Sequence, residues 1–149
     1  GEVKVSWGSG DWHEYDFAIF GHDPVPGTGP GEFKLPHGIT VDKDEKVYVM
    51  DRENSRVQIF DENGEYLCEW SVPRPNQGFI DENDVMHSAS GGQVYLNTLD
   101  GQLIGSWGER GPEKWQFTGG PHGLWIESDG DVYVAQVGEP NGLNKYARV

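Results

Sequence analysis

The chain has one cysteine in 149 residues, Cys68. A single thiol makes no intrachain disulfide and no zinc ribbon, so neither device organises this fold. Basic residues are also scarce, with 11 Lys and Arg against 25 Asp and Glu and a net charge of −14. A field of that sign repels a phosphate backbone and excludes a general nucleic-acid-binding surface. No apolar run approaches the ~18 residues of a membrane helix, and no charged-then-apolar leader is visible. No membrane partner is expected, and the compartment stays open with the cytoplasm favoured. No G-x-S-x-G elbow supports a triad of His87 with Ser88 or Ser90. Calcium loops of the D-x-[DN]-x-[DN]-G kind are missing too.

What is abundant points the other way. There are 22 Gly, 9 Pro and 6 Trp, with 12% aromatic residues. Such aromatic content argues against disorder, and the Gly and Pro argue for many turns. The expected class is all-β. Two segments then match position for position: "RVQIFDENGEYLCEW" (Arg56–Trp70) and "QVYLNTLDGQLIGSW" (Gln93–Trp107). Each is a β-run, an Asn-Gly or Asp-Gly turn, a second β-run and a Trp, a strong hairpin signal because such turns need φ > 0.

Another hairpin precedes each of these: "HGITVDKDEKVYVMD" (His37–Asp51) and "QGFIDENDVMHSAS" (Gln77–Ser90). A further one, "HGLWIESDGDVYVAQ" (His122–Gln136), leads to "GLNKYARV" (Gly142–Val149). Four strands per unit, spaced by roughly 40 residues, mark the blades of a β-propeller. Blade one is expected over 37–70, blade two over 77–107, and blade three over 122–149 without its fourth strand. "EVKVSW" (Glu2–Trp7) resembles a lone fourth strand, assigned to Val3–Trp7.

Propellers typically close with about four to eight blades, so three need a complement. Two closures are open: a homodimer exchanging Val3–Trp7 to make six blades, which is the expectation adopted, or further blades on a longer chain. Strand exchange would remove an unpaired sheet edge, which proteins avoid.

The stretch "LPHGITVDKDEKVYVMDRENSRVQIFDENGEYL" resembles an NHL-type repeat, with its P-H-G-I-x-V-D start, V-Y-V-x-D second strand and N-x-R-V-Q-x-F. The match is strong over blade one, fair over blade three and limited to the second hairpin in blade two. The pairing of "PHG" with "DREN" is similar to peptidyl-α-hydroxyglycine α-amidating lyase-like propellers, six-bladed zinc enzymes. That resemblance implies a metal held at His37 and His122, and an Arg52 matching an arginine that the family uses. It departs from the family in two respects. The third histidine has no counterpart in phase here, and the catalytic tyrosine is absent.

In such a blade the start of the first strand and the end of the second open onto one mouth. His37, Arg52, Gln77 and His122 are therefore expected around it, with Gln77 standing where the other blades have His. His87 is expected mid-strand at the position of Val49, as a satisfied interior residue. The segment 9–32, with Trp12, His13 and His22, is long enough to act as a lid over the mouth. Three functions follow as expectations. The first is a binding module whose acidic mouth holds a small molecule, a peptide or a cationic ligand. The second is a metal-dependent lyase or hydrolase, and the third a structural interaction scaffold.

Overall fold

The computed structural model of the chain describes residues 26–113, 116–138 and 142–147. The expected strand Val3–Trp7, the residues Trp12, His13 and His22, and most of the segment 9–32 lie outside the described residues. The described strands form three antiparallel sheets in chain order. The first contains β1 (Pro36–Val41), β2 (Val47–Asp51), β3 (Arg56–Phe60) and β4 (Tyr66–Ser71). The second contains β5 (Pro75–Ile80), β6 (Val85–Ser90), β7 (Gln93–Thr98) and β8 (Leu103–Trp107). The third contains β9 (Gly120–Ile126), β10 (Val132–Val137) and β11 (Gly142–Tyr146). These are the blades of a β-propeller, with β1, β5 and β9 innermost. No helix among the described residues is long and apolar enough to cross a membrane.

One turn geometry is used five times at the same end of the blades. In 42–46, 61–65, 81–85, 98–102 and 127–131 the first residue's N–H bonds to the fifth residue's carbonyl, and the fourth residue's N–H returns to the first residue's carbonyl. The fourth residue takes a left-handed φ, at Gly64, Gly101 and Gly130 but also at Glu45 (63°) and Asp84 (58°). A type I turn followed by one left-handed residue suits the right-handed twist of the strands on either side. The first-position carboxylates of Asp42, Asp61 and Asp81 each accept two further backbone amides. Short polar side chains with this geometry are what those hairpins require.

Strand alternation gives each sheet two working faces. Tyr48, Met50, Val57, Ile59, Trp70 and Val72 of blade one enclose Met86, with Ile80, Tyr95 and Leu99 of blade two packed against them. Ala89 and Val94 on the far side of blade two meet Leu124 and Val134 of blade three, with Phe117 from the connection between them. Gly78 is needed at the first interface: a Cβ there would lie 1.9 Å from Met50 Cε. The fourth-strand tryptophans wedge into the next blade. Trp70 reaches Gly101, and the Trp107 ring lies 5.3 Å from that of Tyr146.

A buried polar network anchors the approach to β1. Arg56 Nε donates to Asp51 Oδ2 at 2.8 Å, and Arg56 Nη1 donates to Glu69 Oε2 at 2.9 Å. The same guanidinium reaches the carbonyls of Thr28, Gly29 and Glu32. Gln58 adds a bond from Gly31 N–H and one to Glu32 O. The Asp51 side chain is fully buried and that of Arg56 nearly so. Removing one partner of such a pair leaves a buried charge uncompensated, which costs about 3–5 kcal/mol. Arg56→Ala is therefore expected to lower stability by about that amount in urea unfolding, and a change under ~1 kcal/mol would contradict this account.

Candidate functional site

The mouth is built by the first residues of the three inner strands. Pro36 pairs with Asp51 and Gly38 with Met50, so His37 is an extra residue bulged out of the ladder. The same irregularity leaves Asn76 unpaired between Pro75 and Gln77, and His122 between Pro121 and Gly123. A bulge re-aims the extra side chain, and here it does so three times at the same end of the inner strands. The structurally equivalent residues are thus His37, Asn76 and His122. This corrects the expectation for Gln77, which stands at the Gly38 and Gly123 position and bonds back to Gly78 O. His87 is likewise one place away from its expected position. It pairs with Phe79 and corresponds to Tyr48, not Val49. Its Nε2 meets Asp81 Oδ2 at 3.0 Å, as Tyr48 Oη meets Asp42 Oδ2 at 3.0 Å, so it is an interior residue with a partner on one nitrogen, while its Nδ1 is buried without one.

His37 and His122 come together. Their ring centroids are 4.6 Å apart in an edge-to-face arrangement. His37 Nδ1 lies 2.9 Å from the Asn76 carbonyl, which only accepts, so Nδ1 carries the proton and donates. In the neutral ring Nε2 is left as an acceptor. Asn76 Nδ2 continues the chain of bonds to Pro121 O at 2.9 Å. Gly38 is required here, because a Cβ would lie 2.5 Å from Asn76 O. Asn76 Oδ1 and Arg52 Nε are buried without a hydrogen-bond partner.

Arg52 belongs to a 3-10 turn, Arg52–Asn54, directly after β2. Its Nη1 lies 3.5 Å from Glu53, and Glu53 takes a two-pronged bond from Arg74 at the start of blade two. His122 is held below the ordinary histidine range by burial, and then by the positive potential of His37 and Arg52. Of the acidic residues in the segment 9–32 that would charge the rim, all but Glu32 lie outside the described residues. In the described connections at this end, Lys34, Arg52, Arg74 and Arg110 balance Glu32, Glu53, Glu109 and Glu113. Two imidazoles also fall short of the roughly three protein ligands of a catalytic zinc site. Among the described residues no third His, Cys, Asp or Glu joins them, and the one triple cluster, Glu127, Asp129 and Asp131, is at the opposite end. Arg52 adds a repulsion that a divalent cation would have to overcome. The described residues of the mouth do not by themselves fit a metal.

Residues 33–60 match the NHL repeat family model. The chain is 32% identical over 133 residues to NHL repeat-containing protein 3 of Homo sapiens, covering 83% of this chain and 38% of that protein. It is 51% identical over 41 residues to Protein lin-41 of Caenorhabditis elegans, covering 28% of this chain and 4% of that one. The chain thus spans about two fifths of the human relative's length. Two solved structures share the fold. A streptogramin B lyase superposes with a TM-score of 0.55 at 15% identity, over 83% of this chain and 42% of the other. The hydrazine synthase of Kuenenia stuttgartiensis gives 0.58 at 21% identity, over 80% and 33%. Among the described residues the fold is a β-propeller of three blades, the first of which carries the NHL-repeat match, and the amidating-lyase likeness rests on sequence motifs alone.

Two features escaped sequence reasoning. Asn76 as a member of the mouth was signalled by Pro75, which aligns with Pro36 and Pro121, but the "RPNQG" spacing drew attention to Gln77. Arg56 and Gln58 stand inside the quoted N-x-R-V-Q-x-F pattern, yet their backbone partners carry no side-chain signature.

The state of His122 has a testable consequence. With a folded-state pKa below 6.5, the unfolded chain takes up the proton first as pH falls. The contribution is complete above that pH and is lost progressively below it, until the folded-state pKa is passed. The denaturation midpoint is expected to fall as pH drops below 6.5, and less steeply in His122→Gln. Equal slopes for the two proteins would show that His122 is not responsible.

Proposed function

We propose that the chain is a propeller binding module whose ligand or partner docks at the mouth, over His37, Asn76 and His122 and beside Arg52. The observation that carries this reading is the paired rings at 4.6 Å, contributed by the first and third blades and locked through Asn76 of the second. Such a convergence of polar groups from several elements on a rigid scaffold is the usual form of a binding site. It offers a donor at Arg52, an acceptor at His37 Nε2 and an aromatic face. An NMR screen of small carboxylates, amines and short peptides against the labelled chain tests it. Hits should move the imidazole signals of His37 and His122 and weaken several-fold in Arg52→Ala. Hits that map only elsewhere would overturn the assignment.

The second reading, a metal-dependent lyase or hydrolase, has one observation in its favour: His37 presents its Nε2 beside a His122 that burial holds below the ordinary histidine range. Zinc at one equivalent in protein purified without added metal, lost in His37→Ala, would favour this reading. Metal content unaffected by His37→Ala would remove it.

The partner we propose for ring closure is a second copy, exchanging Val3–Trp7 to give six blades. Ile39 and Val41 are 57% and 54% exposed on blade one, and Trp125 and Leu143 are 62% and 70% exposed on blade three. β11 has β10 as its only strand neighbour among the described residues. Light scattering should give a dimer for the full chain and a monomer for a chain lacking Gly1–Gly8. A monomer in both cases would exclude closure by this exchange.

A further inference from the structure

A cavity of about 290 Å³ opens between blades two and three at the end opposite the histidines. Its floor is Phe79, Ile80 and Ile126, and its rim is Asp81, Glu82 and Glu127. Pockets for drug-sized molecules run from about 300 to 1,000 Å³, so this one has room for a single long side chain. Trp125, 62% exposed, meets Phe79 edge to face at 5.1 Å and adds aromatic surface next to the floor.

The surroundings select the occupant by charge. The five turns at this end hold thirteen of the 25 acidic residues and two of the 11 basic ones. Part of this is explained by the turns themselves, since Asp42, Asp61 and Asp81 cap backbone amides. Glu45, Glu62, Glu82 and Glu127 have no such part in their turns. A side-chain hydrogen bond with Glu45, and then the charge of that residue, hold the Glu62 carboxyl above the ordinary range, so acidic groups are crowded against one another. Asp81 is taken by His87, and Glu127 has Lys145 at 3.6 Å, a lysine that lies closer to Asp131 at 2.7 Å. Glu82 makes no ion pair among the described residues, and the rim keeps an excess of negative charge over an apolar floor.

We propose that this cavity is a docking site for a basic peptide segment of a partner protein. One Arg or Lys would lay its aliphatic stem over Phe79, Ile80 and Ile126 and bring its charge to Glu82 and Glu127. Long cationic side chains are suited to such a place, because their stems are apolar and only their heads need polar partners. An aromatic neighbour adds a cation–π attraction of about 0.5–1 kcal/mol at exposed sites. The site is separate from the mouth and stands or falls independently of it.

The test is calorimetric titration of the full chain with a synthetic peptide of alternating Arg and Leu, at low and at physiological ionic strength. The double variant Glu82→Gln/Glu127→Gln should bind about ten-fold more weakly or worse, the scale of close interfacial charge pairs. The double variant Glu45→Gln/Glu62→Gln removes the same charge from the same end, away from the cavity, and should stay within about two-fold, as expected for distant exposed charges. Equal losses in both variants would mean that the peptide follows the general field, and the proposal fails. It fails equally if the wild-type chain binds no peptide. Calcium ion alone is titrated in parallel. If it binds through Asp129 and displaces the peptide, the carboxylates serve a cation and the docking site is overturned.

Discussion

Every sheet of this chain has to bury two faces, and the rest of the structure follows from that constraint. Neighbouring residues on a strand point to opposite sides, so Tyr48 and Met50 turn toward blade two while Val47 and Val49 turn away with Phe60, Phe33 and Tyr66. Among the described sheets blade two is the one with a blade on either side. It accommodates them unequally, with Gly78 admitting Met50 on one face and small Ala89 meeting Phe117 on the other. The outer blades each keep an apolar face for which the described residues supply no neighbouring blade. The exposure of Ile39 and Leu143 is what a repeating interface looks like where the repeat is interrupted.

The up-and-down path of each blade sorts the connections into two ends with different chemistry. Hairpin turns at the far end tolerate, and in three cases use, a carboxylate at the first position, so acid accumulates there without any need for a ligand. At the mouth the inner strands carry bulges, and with the described connections they bring together histidine, arginine and buried amide groups at near-balanced charge. A net charge read over the whole chain therefore describes neither end. Among the described residues its main consequence is at the turns, where a cationic group is attracted.

Strand number and order were legible because a period of two, interrupted by Asn-Gly or Asp-Gly, has few other physical causes. The displacement of Gln77 for Asn76 has a specific cause, whereas that of His87 lies on β6, which carries no bulge of its own. A bulge adds an unpaired residue without leaving a mark in the hydrophobic alternation, and matching a histidine to a similar polar residue then selects the wrong neighbour. Proline was the better anchor, since Pro36, Pro75 and Pro121 take the same ladder position, directly before the bulged residue of each inner strand. The Asp51, Arg56 and Gln58 network was illegible for another reason. Four of its bonds end on the main chain of Thr28, Gly29 and Glu32, where any residue type offers the same carbonyl.

The same bulges explain why the mouth can act as one unit. His37 donates to the main chain of Asn76, and Asn76 donates to the main chain of Pro121, so a single chain of bonds crosses all three inner strands. Displacing any one blade breaks a link or turns an imidazole. Gly38 lets the strands approach closely enough for the chain to form, and the contact of the two rings follows from that approach. Two histidines this close, beside Arg52, are stable together when His122 is neutral, which is the direction in which its surroundings move it. A group that occupies the mouth therefore meets a prearranged acceptor at His37 Nε2 and a fixed cation at Arg52. Little ordering is left to do on binding, and affinity gained in that way is lost when blade spacing changes.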